Sequence, residues 1–208
     1  MRPVSAQPFS AFPIPFTLIP TYVSGLRIIG GRLRRRTFRV PKGQLTRPTS
    51  DRAKESIFNM IESRIDLEDA YVLDLFSGTG SLAFEALSRG AETATLVEHQ
   101  AAVMKCAQEN AAALELSDAC VFVRADVLVY LKSHHGPPFD LILADPPYEF
   151  DTLPRLPDLI LPRLKPGGLL VLEHDSRHRF ADHEAFETAR AYGRTTVSLF
   201  NAHSPAGE

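Results

Sequence analysis

The chain has no tryptophan and only two cysteines, Cys106 and Cys120, in 208 residues. Both cysteines sit in apolar surroundings without Cys-x-x-Cys spacing. That argues against a disulfide framework and a zinc site, and it fits a reducing cytoplasm. No apolar run reaches the ~20 uninterrupted residues of a membrane-spanning helix. The apolar stretch 1–25 is broken by Pro3, Pro8, Pro13, Pro15 and Pro20. It also lacks the clean apolar core and small-residue cleavage site of a signal peptide. We read it as a disordered leader or an artefact of the assigned start, with Leu26 as the natural beginning. Acidic residues are missing from positions 1–50, which hold nine Arg or Lys; the rest of the chain holds 14 basic and 25 acidic residues. A basic arm of +9 thus precedes a body of −11. Such an asymmetry suggests a polyanionic partner for the arm, the plain alternative being a solvated charge run.

Beyond the leader the chain divides into a basic arm (26–48), a long α/β domain (49–202) and a short tail (203–208). In the arm, Ile28, Ile29, Leu33, Phe38 and Val40 alternate with arginines, and Gly30-Gly31 separates two short apolar runs, which predicts a small hairpin. Ser50 or Asp51 caps the next helix, whose apolar stripe is Ile57, Phe58, Met60, Ile61 and Ile65. Asp51, Arg52 and Lys54 lie off that stripe. From Tyr71 onward strands and helices alternate. Strands are expected at 71–75, 93–97, 120–124, 139–144, 169–173, 187–191 and 195–200, with helices at 81–89, 101–114, 127–132 and 153–164. Lys165-Pro166-Gly167-Gly168 reads as a turn into the fifth strand. Alternation of this kind predicts a mostly parallel seven-stranded sheet covered by helices on both faces.

In such sheets ligands sit outside the carboxyl ends of the strands. Four strand ends here carry polar residues: Asp74 to Gly80, Glu98, Asp126 and Asp145 to Tyr148. Gly78-x-Gly80 opens a helix directly after a strand, and Glu98 follows about 20 residues later, where a carboxylate takes ribose hydroxyls. Alone, this also describes a nicotinamide-dinucleotide site, or a tight turn with no ligand. Asp74 discriminates, because a carboxylate before the glycine turn suits an ammonium and not a pyrophosphate. Asp126 can accept from an adenine amino group. An amino acid end, a ribose and an adenine together describe S-adenosyl-L-methionine. Pro146-Pro147 ends its strand and leaves a carboxylate, carbonyls without competing N–H donors and an aromatic ring at one place. That set suits a planar amine, although a strand followed by a polar turn is the plain alternative.

Val72 to Gly80 resembles motif I of class I methyltransferases, and Asp145-Pro146-Pro147-Tyr148 resembles their amino-methylating motif IV. Together with Arg27 to Gly31, Arg47-Pro48-Thr49-Ser50-Asp51-Arg52-Ala53-Lys54-Glu55 and Glu173-His174, the pattern over residues 26–200 resembles the RsmD family. These enzymes methylate a guanine N2 in bacterial 16S ribosomal RNA. The resemblance implies a Rossmann-like fold and S-adenosyl-L-methionine held by Asp74, Phe76, Ser77, Gly78, Thr79, Gly80, Glu98, His99, Asp126 and Val127. It implies catalysis by Asp145, Pro146, Pro147 and Tyr148. It implies RNA, within an assembling small subunit, held by Arg27, Arg32, Arg34, Arg35, Arg36, Arg39, Arg47 and Arg52. No metal and no membrane are expected. The rival readings are a DNA adenine-N6 or other amino-methyltransferase and a noncatalytic RNA-binding scaffold. His134 and His135 read as loop surface. His174, His178 and His183 have loose metal-like spacing but follow a strand through a loop.

Overall fold

The computed structural model describes residues 22–41, 51–147 and 149–202. Two strands, β1 (Tyr22–Arg27) and β2 (Thr37–Pro41), pair antiparallel as a hairpin. The helix α1 (Asp51–Glu62) follows, then β3 (Tyr71–Leu75), α2 (Ser81–Ser88), β4 (Thr93–Glu98), α3 (Ala101–Leu114), β5 (Cys120–Arg124), α4 (Val127–Ser133) and β6 (Phe139–Ala144). The chain closes with α5 (Leu156–Ile160), β7 (Leu164–Asp175), β8 (Phe186–Tyr192) and β9 (Thr195–Asn201). The large sheet has the order β5-β4-β3-β6-β7-β9-β8. Strands β3 to β7 pair in parallel, and β9 and β8 run antiparallel at one side.

Burial on both faces explains the unbroken apolar runs of the central strands. Side chains alternate between the two faces, so Val72 packs in one core and Leu73 and Leu75 in the other. The first core takes Ile57, Phe58 and Ile61 of α1, Ala83 and Leu87 of α2, Ala107 and Ala111 of α3, and Ile28, Leu33 and Phe38 of the hairpin. The second takes Val127 and Leu131 of α4 and Leu156 and Ile160 of α5. Helices therefore cover both faces, as expected. The hairpin has become part of the first core.

Three expectations change. Residues 153–164 do not form one helix: a 3-10 turn (Leu153–Arg155), the short α5 and another 3-10 turn (Leu161–Arg163) follow one another, each with a proline at its first or second position. Proline lacks the N–H and crowds the preceding turn, so each of Pro154, Pro157 and Pro162 begins a new piece. Residues 165–168 are no turn before the strand. They bulge within β7, where Phe139 pairs with Leu164 and Leu141 with Leu169. β1 opens at Tyr22, so four residues read as leader belong to the hairpin. Most of the leader, Arg47, the Ser50 cap, Tyr148 and the tail lie outside the described residues. No helix among the described residues is long and apolar enough to cross a membrane.

Candidate active site

The strand order places a crevice. The chain steps outward from β3 to β4 and β5, then returns to lay β6 on the other side of β3. Ligands of open α/β sheets bind at the carboxyl ends of strands flanking such a reversal. Asp74 near the end of β3 and Asp145 just after β6 stand at this point, in registers where Asp74 pairs with Leu143 and Leu75 with Ala144.

Asp74 is buried, and its Oδ2 accepts from Ala83 N at 3.1 Å, in the first turn of α2. It therefore supplies the cap that Gly80, which has no side chain, cannot provide. Burial raises its carboxyl to about 8; the Ala83 N–H opposes this, while the charges of Asp145 and Glu98 add to it. Asp145 is open to solvent, yet its carboxyl is raised to about 6 by poor solvation. The first carboxyl is thus protonated at neutral pH when no cation is near, and the second is mostly ionised.

The glycine turn is held from β4. Glu98 Oε2 accepts from Gly78 N at 3.3 Å, and its Oε1 accepts from Gln100 N at 2.7 Å and lies 3.1 Å from His99 Nδ1. Ser77 N donates to Val97 O at 3.0 Å and Gly80 N to Ser77 O at 2.9 Å. Gly78 has φ +55, and a Cβ there would meet only the Phe76 carbonyl oxygen, at 4.0 Å. Conformation selects glycine here, and the space over it stays open to a ligand. The Ser77 Oγ is buried without a hydrogen-bond partner among the described residues. Such an orphan beside an open glycine suits a polar ligand atom. Phe76 also has positive φ, +60, and its ring meets that of Phe150 edge-on at 5.1 Å. The glycine turn and the Pro-Pro turn thus meet through two aromatics. Asp126 caps α4, with Oδ1 accepting from Leu128 N at 2.9 Å and Val129 N at 3.1 Å. The Val127 side chain is buried in the second core, so only its backbone faces the edge.

In the Pro-Pro turn, Phe150 N donates to the Pro147 carbonyl at 3.1 Å. Among the described residues no donor reaches the Pro146 carbonyl, which leaves it beside Asp145 as a second acceptor. A cleft of about 680 Å³, lined in part by Glu149, Phe150 and His178, adjoins this turn.

The structure redistributes the other expected site residues. Lys54, placed off the packed face from sequence, is only 1% exposed. Its Nζ donates to Arg27 O at 2.7 Å and Ser81 Oγ at 3.2 Å and lies 3.6 Å from Glu85 Oε2. Burial lowers its pKa, against the pull of Glu85. Glu85, fully buried, accepts from Ile29 N at 2.8 Å, Gly30 N at 2.7 Å and Arg89 Nε at 2.9 Å. Asn110 accepts from Arg39 N at 2.9 Å and donates to Arg39 O at 2.9 Å and Thr79 O at 3.3 Å. These three buried side chains fasten the hairpin to the glycine turn and α2. A charged residue in the apolar run Leu82-Ala83-Phe84-Glu85-Ala86-Leu87 was the signal for one of them. Gly31, with φ +67, lies so close to α2 that a Cβ would stand 1.8 Å from Ser88 O. The glycine pair therefore serves docking as well as turning.

Arg27, Arg39 and Arg52 are exposed, Arg27 paired with Asp51 at 2.6 Å. Arg36 is not free for a partner: it donates to Ala113 O at 2.6 Å and pairs with Glu115 at the end of α3, a favourable place for a cation. His174, His178 and His183 have structural partners: Ser198 at 2.8 Å, Asp175 at 3.0 Å and Asp158 at 3.3 Å respectively. Among the described residues no group of three or more His, Cys, Asp or Glu is arranged to hold a metal ion.

Known proteins are similar to this chain in sequence and fold. The sequence model of the family described as conserved hypothetical protein 95 matches residues 26–201. The ribosomal RNA small subunit methyltransferase D of Escherichia coli is 38% identical over 135 residues, 65% of this chain and 66% of that one. The solved structure of yhhF from Escherichia coli superposes with a TM-score of 0.76 at 30% identity, covering 86% of this chain and 99% of that one. The fold alone is shared with the 16S rRNA N2 G1207 methyltransferase RsmC of T. thermophilus, solved with AdoMet and guanosine. There the TM-score is 0.69 at 22% identity, covering 87% of this chain and 50% of that one. The sheet is thus that of class I methyltransferases, and the chain belongs to the conserved hypothetical protein 95 family, the RsmD family that its motifs resemble.

Proposed function

We propose that this chain methylates ribosomal RNA of the small subunit, at the exocyclic N2 of a guanine, with S-adenosyl-L-methionine as donor. The observation that carries the reading is the pair of acceptors, Asp145 and the Pro146 carbonyl, set at the reversal point of the sheet beside a buried acidic end. The name borne by the Escherichia coli relative supports the substrate class, and the resemblance to the RsmD family supports the base.

The residues present fit the donor. Ser77 Oγ and the open face of Gly78 suit its carboxylate end, Asp74 its ammonium, Glu98 its ribose and the second oxygen of Asp126 its adenine. The bound donor supplies an electrophilic methyl on a sulfonium. Everything else falls to the chain. The exocyclic amine is a poor nucleophile because its lone pair is delocalised into the ring. Asp145 and the Pro146 carbonyl each accept one N–H, which turns the lone pair out of conjugation and toward the methyl. Their contribution is positioning and electrostatic stabilisation, with no covalent step on the protein. The nitrogen gains positive charge as the new bond forms and must then lose a proton. Asp145, with its carboxyl raised to about 6, is a stronger base than an ordinary carboxylate and stands beside it. The resemblance to the RsmD family gives Tyr148 the role of stacking partner for an extruded base.

The test is transfer of a labelled methyl group to ribosomal subunits from a strain lacking the enzyme, followed by nucleoside mapping. N2-methylguanosine at a single position of the small-subunit RNA is expected. Label on adenine, on protein, or nowhere would refute the proposal.

A further inference from the structure

The crevice and the hairpin tip lie at opposite ends of α2. Ser81 begins that helix beside the glycine turn, and Ser88 ends it. Seven residues at about 1.5 Å each set the two roughly 10 Å apart. The tip, residues 28–36, docks on the far end: Arg32 N donates to Ser88 O at 2.7 Å, Leu33 N to Ser88 Oγ at 2.9 Å, and Ser88 Oγ to Gly30 O at 2.6 Å. Arg36 reaches the end of α3, which also returns toward the amino edge of the sheet. The tip arginines therefore stand behind the catalytic edge.

Three of them, Arg32, Arg34 and Arg35, are exposed, and no carboxylate among the described residues pairs with them. The turn that carries them is closed by hydrogen bonds, Arg35 N donating to Ile28 O at 2.9 Å and Ile28 N to Arg36 O at 2.9 Å over the buried Ile28 and Leu33. Arg35 itself has φ +72. A side chain other than glycine is strained in that region, so a glycine would serve the turn better. Strain kept at an exposed cation points to a ligand for that cation.

We propose that this tip is a second RNA-docking site, separate from the crevice: Arg32, Arg34 and Arg35 hold the phosphates of a segment other than the one presenting the target base. The inference rests on the reading that the chain acts on RNA. It makes the substrate a folded RNA that reaches both ends of α2 at once. A short single strand carrying the target guanine fills the crevice and leaves the tip empty. Guanidinium forks suit phosphate bidentately, and each phosphate neutralised releases counterions.

Binding of the full chain to two RNAs tests this, by anisotropy across a salt series. One probe is folded small-subunit RNA, and the other is a single-stranded oligonucleotide around the mapped guanine. Replacing all three arginines by alanine is expected to weaken the folded RNA at least tenfold and to flatten its log–log salt slope by about 2 to 3. Affinity for the oligonucleotide should stay within twofold. Equal weakening of both probes, or of neither, overturns the proposal. Arg35→Gly gives a second readout: RNA binding falls while the melting temperature holds or rises, and a lower melting temperature would assign Arg35 to the fold instead. A chain that binds folded RNA through the tip but methylates no ribosomal RNA would sink the proposed function and leave the tip standing.

Discussion

Asp74→Asn should make the ligand-free protein less sensitive to alkali. The Asp74 carboxyl is raised from 3.8 to about 8, mainly by burial. A group whose folded pKa is raised contributes stability that is complete below its unfolded pKa and lost as pH rises through the folded one. For Asp74 that window runs from about 4 to about 8. Between pH 6 and pH 9 the remaining loss covers about two pH units, at about 1.4 kcal/mol each, or about 3 kcal/mol. Asp145, raised only to about 6, has largely finished by then. Asparagine keeps an oxygen to accept from Ala83 N and carries no charge at any of these pH values. Urea denaturation of both proteins at pH 6 and pH 9 therefore gives a wild type that loses about 3 kcal/mol more than the variant. Parallel losses in the two proteins would refute the reasoning, because Asp74 would then already be ionised in the folded chain at pH 6.

Other outcomes follow from the same residues. Binding of S-adenosylhomocysteine, whose ammonium approaches Asp74, should release close to one proton at pH 7, seen as a calorimetric enthalpy that varies with buffer ionisation heat. An enthalpy independent of buffer would contradict this. Asp145→Ala should abolish methyl transfer and leave the affinity for S-adenosylhomocysteine within a few-fold; near-normal turnover would remove Asp145 from the chemistry. Glu85→Ala leaves the cations of Lys54 and Arg89 with a lost partner and two hairpin N–H groups unbonded. A destabilisation of about 3–5 kcal/mol is expected by thermal or urea denaturation, as for a broken buried ion pair.

Much of the fold could be read in advance because its determinants are local. Strands β3, β4, β5 and β6 follow from short apolar runs, and α3 was delimited to the residue. Asp74, Glu98, Asp126 and Asp145 could be singled out because each stands at or near a strand's carboxyl end, a position that motif spacing reveals. Residues whose role depends on a distant partner escaped notice. Lys54 meets Arg27 O, Ser81 and Glu85, and Asn110 meets Arg39 and Thr79, across 27 to 71 positions of sequence. Nothing in a helical period says that a lysine beside an apolar stripe will be drawn under a hairpin. The orphan hydroxyl of Ser77 is equally invisible, since only a three-dimensional count of donors exposes it. Proline, in contrast, gave a legible warning in residues 153–164 that a continuous helix would fail.

The clamp at Glu85 bears on how the arm comes into being. A two-stranded hairpin is at best marginal on its own in water. Its donors Ile29 N and Gly30 N find their acceptor 55 to 56 residues later, and Arg39 finds Asn110 only after 71. During synthesis the basic segment emerges first and must wait for α2 and α3 before it can settle. The newborn arm is thus a loose polycation, and the same helix that the glycine turn opens gives it a shape. An arm cut from this chain and fused to another protein should bring its charge but not its geometry.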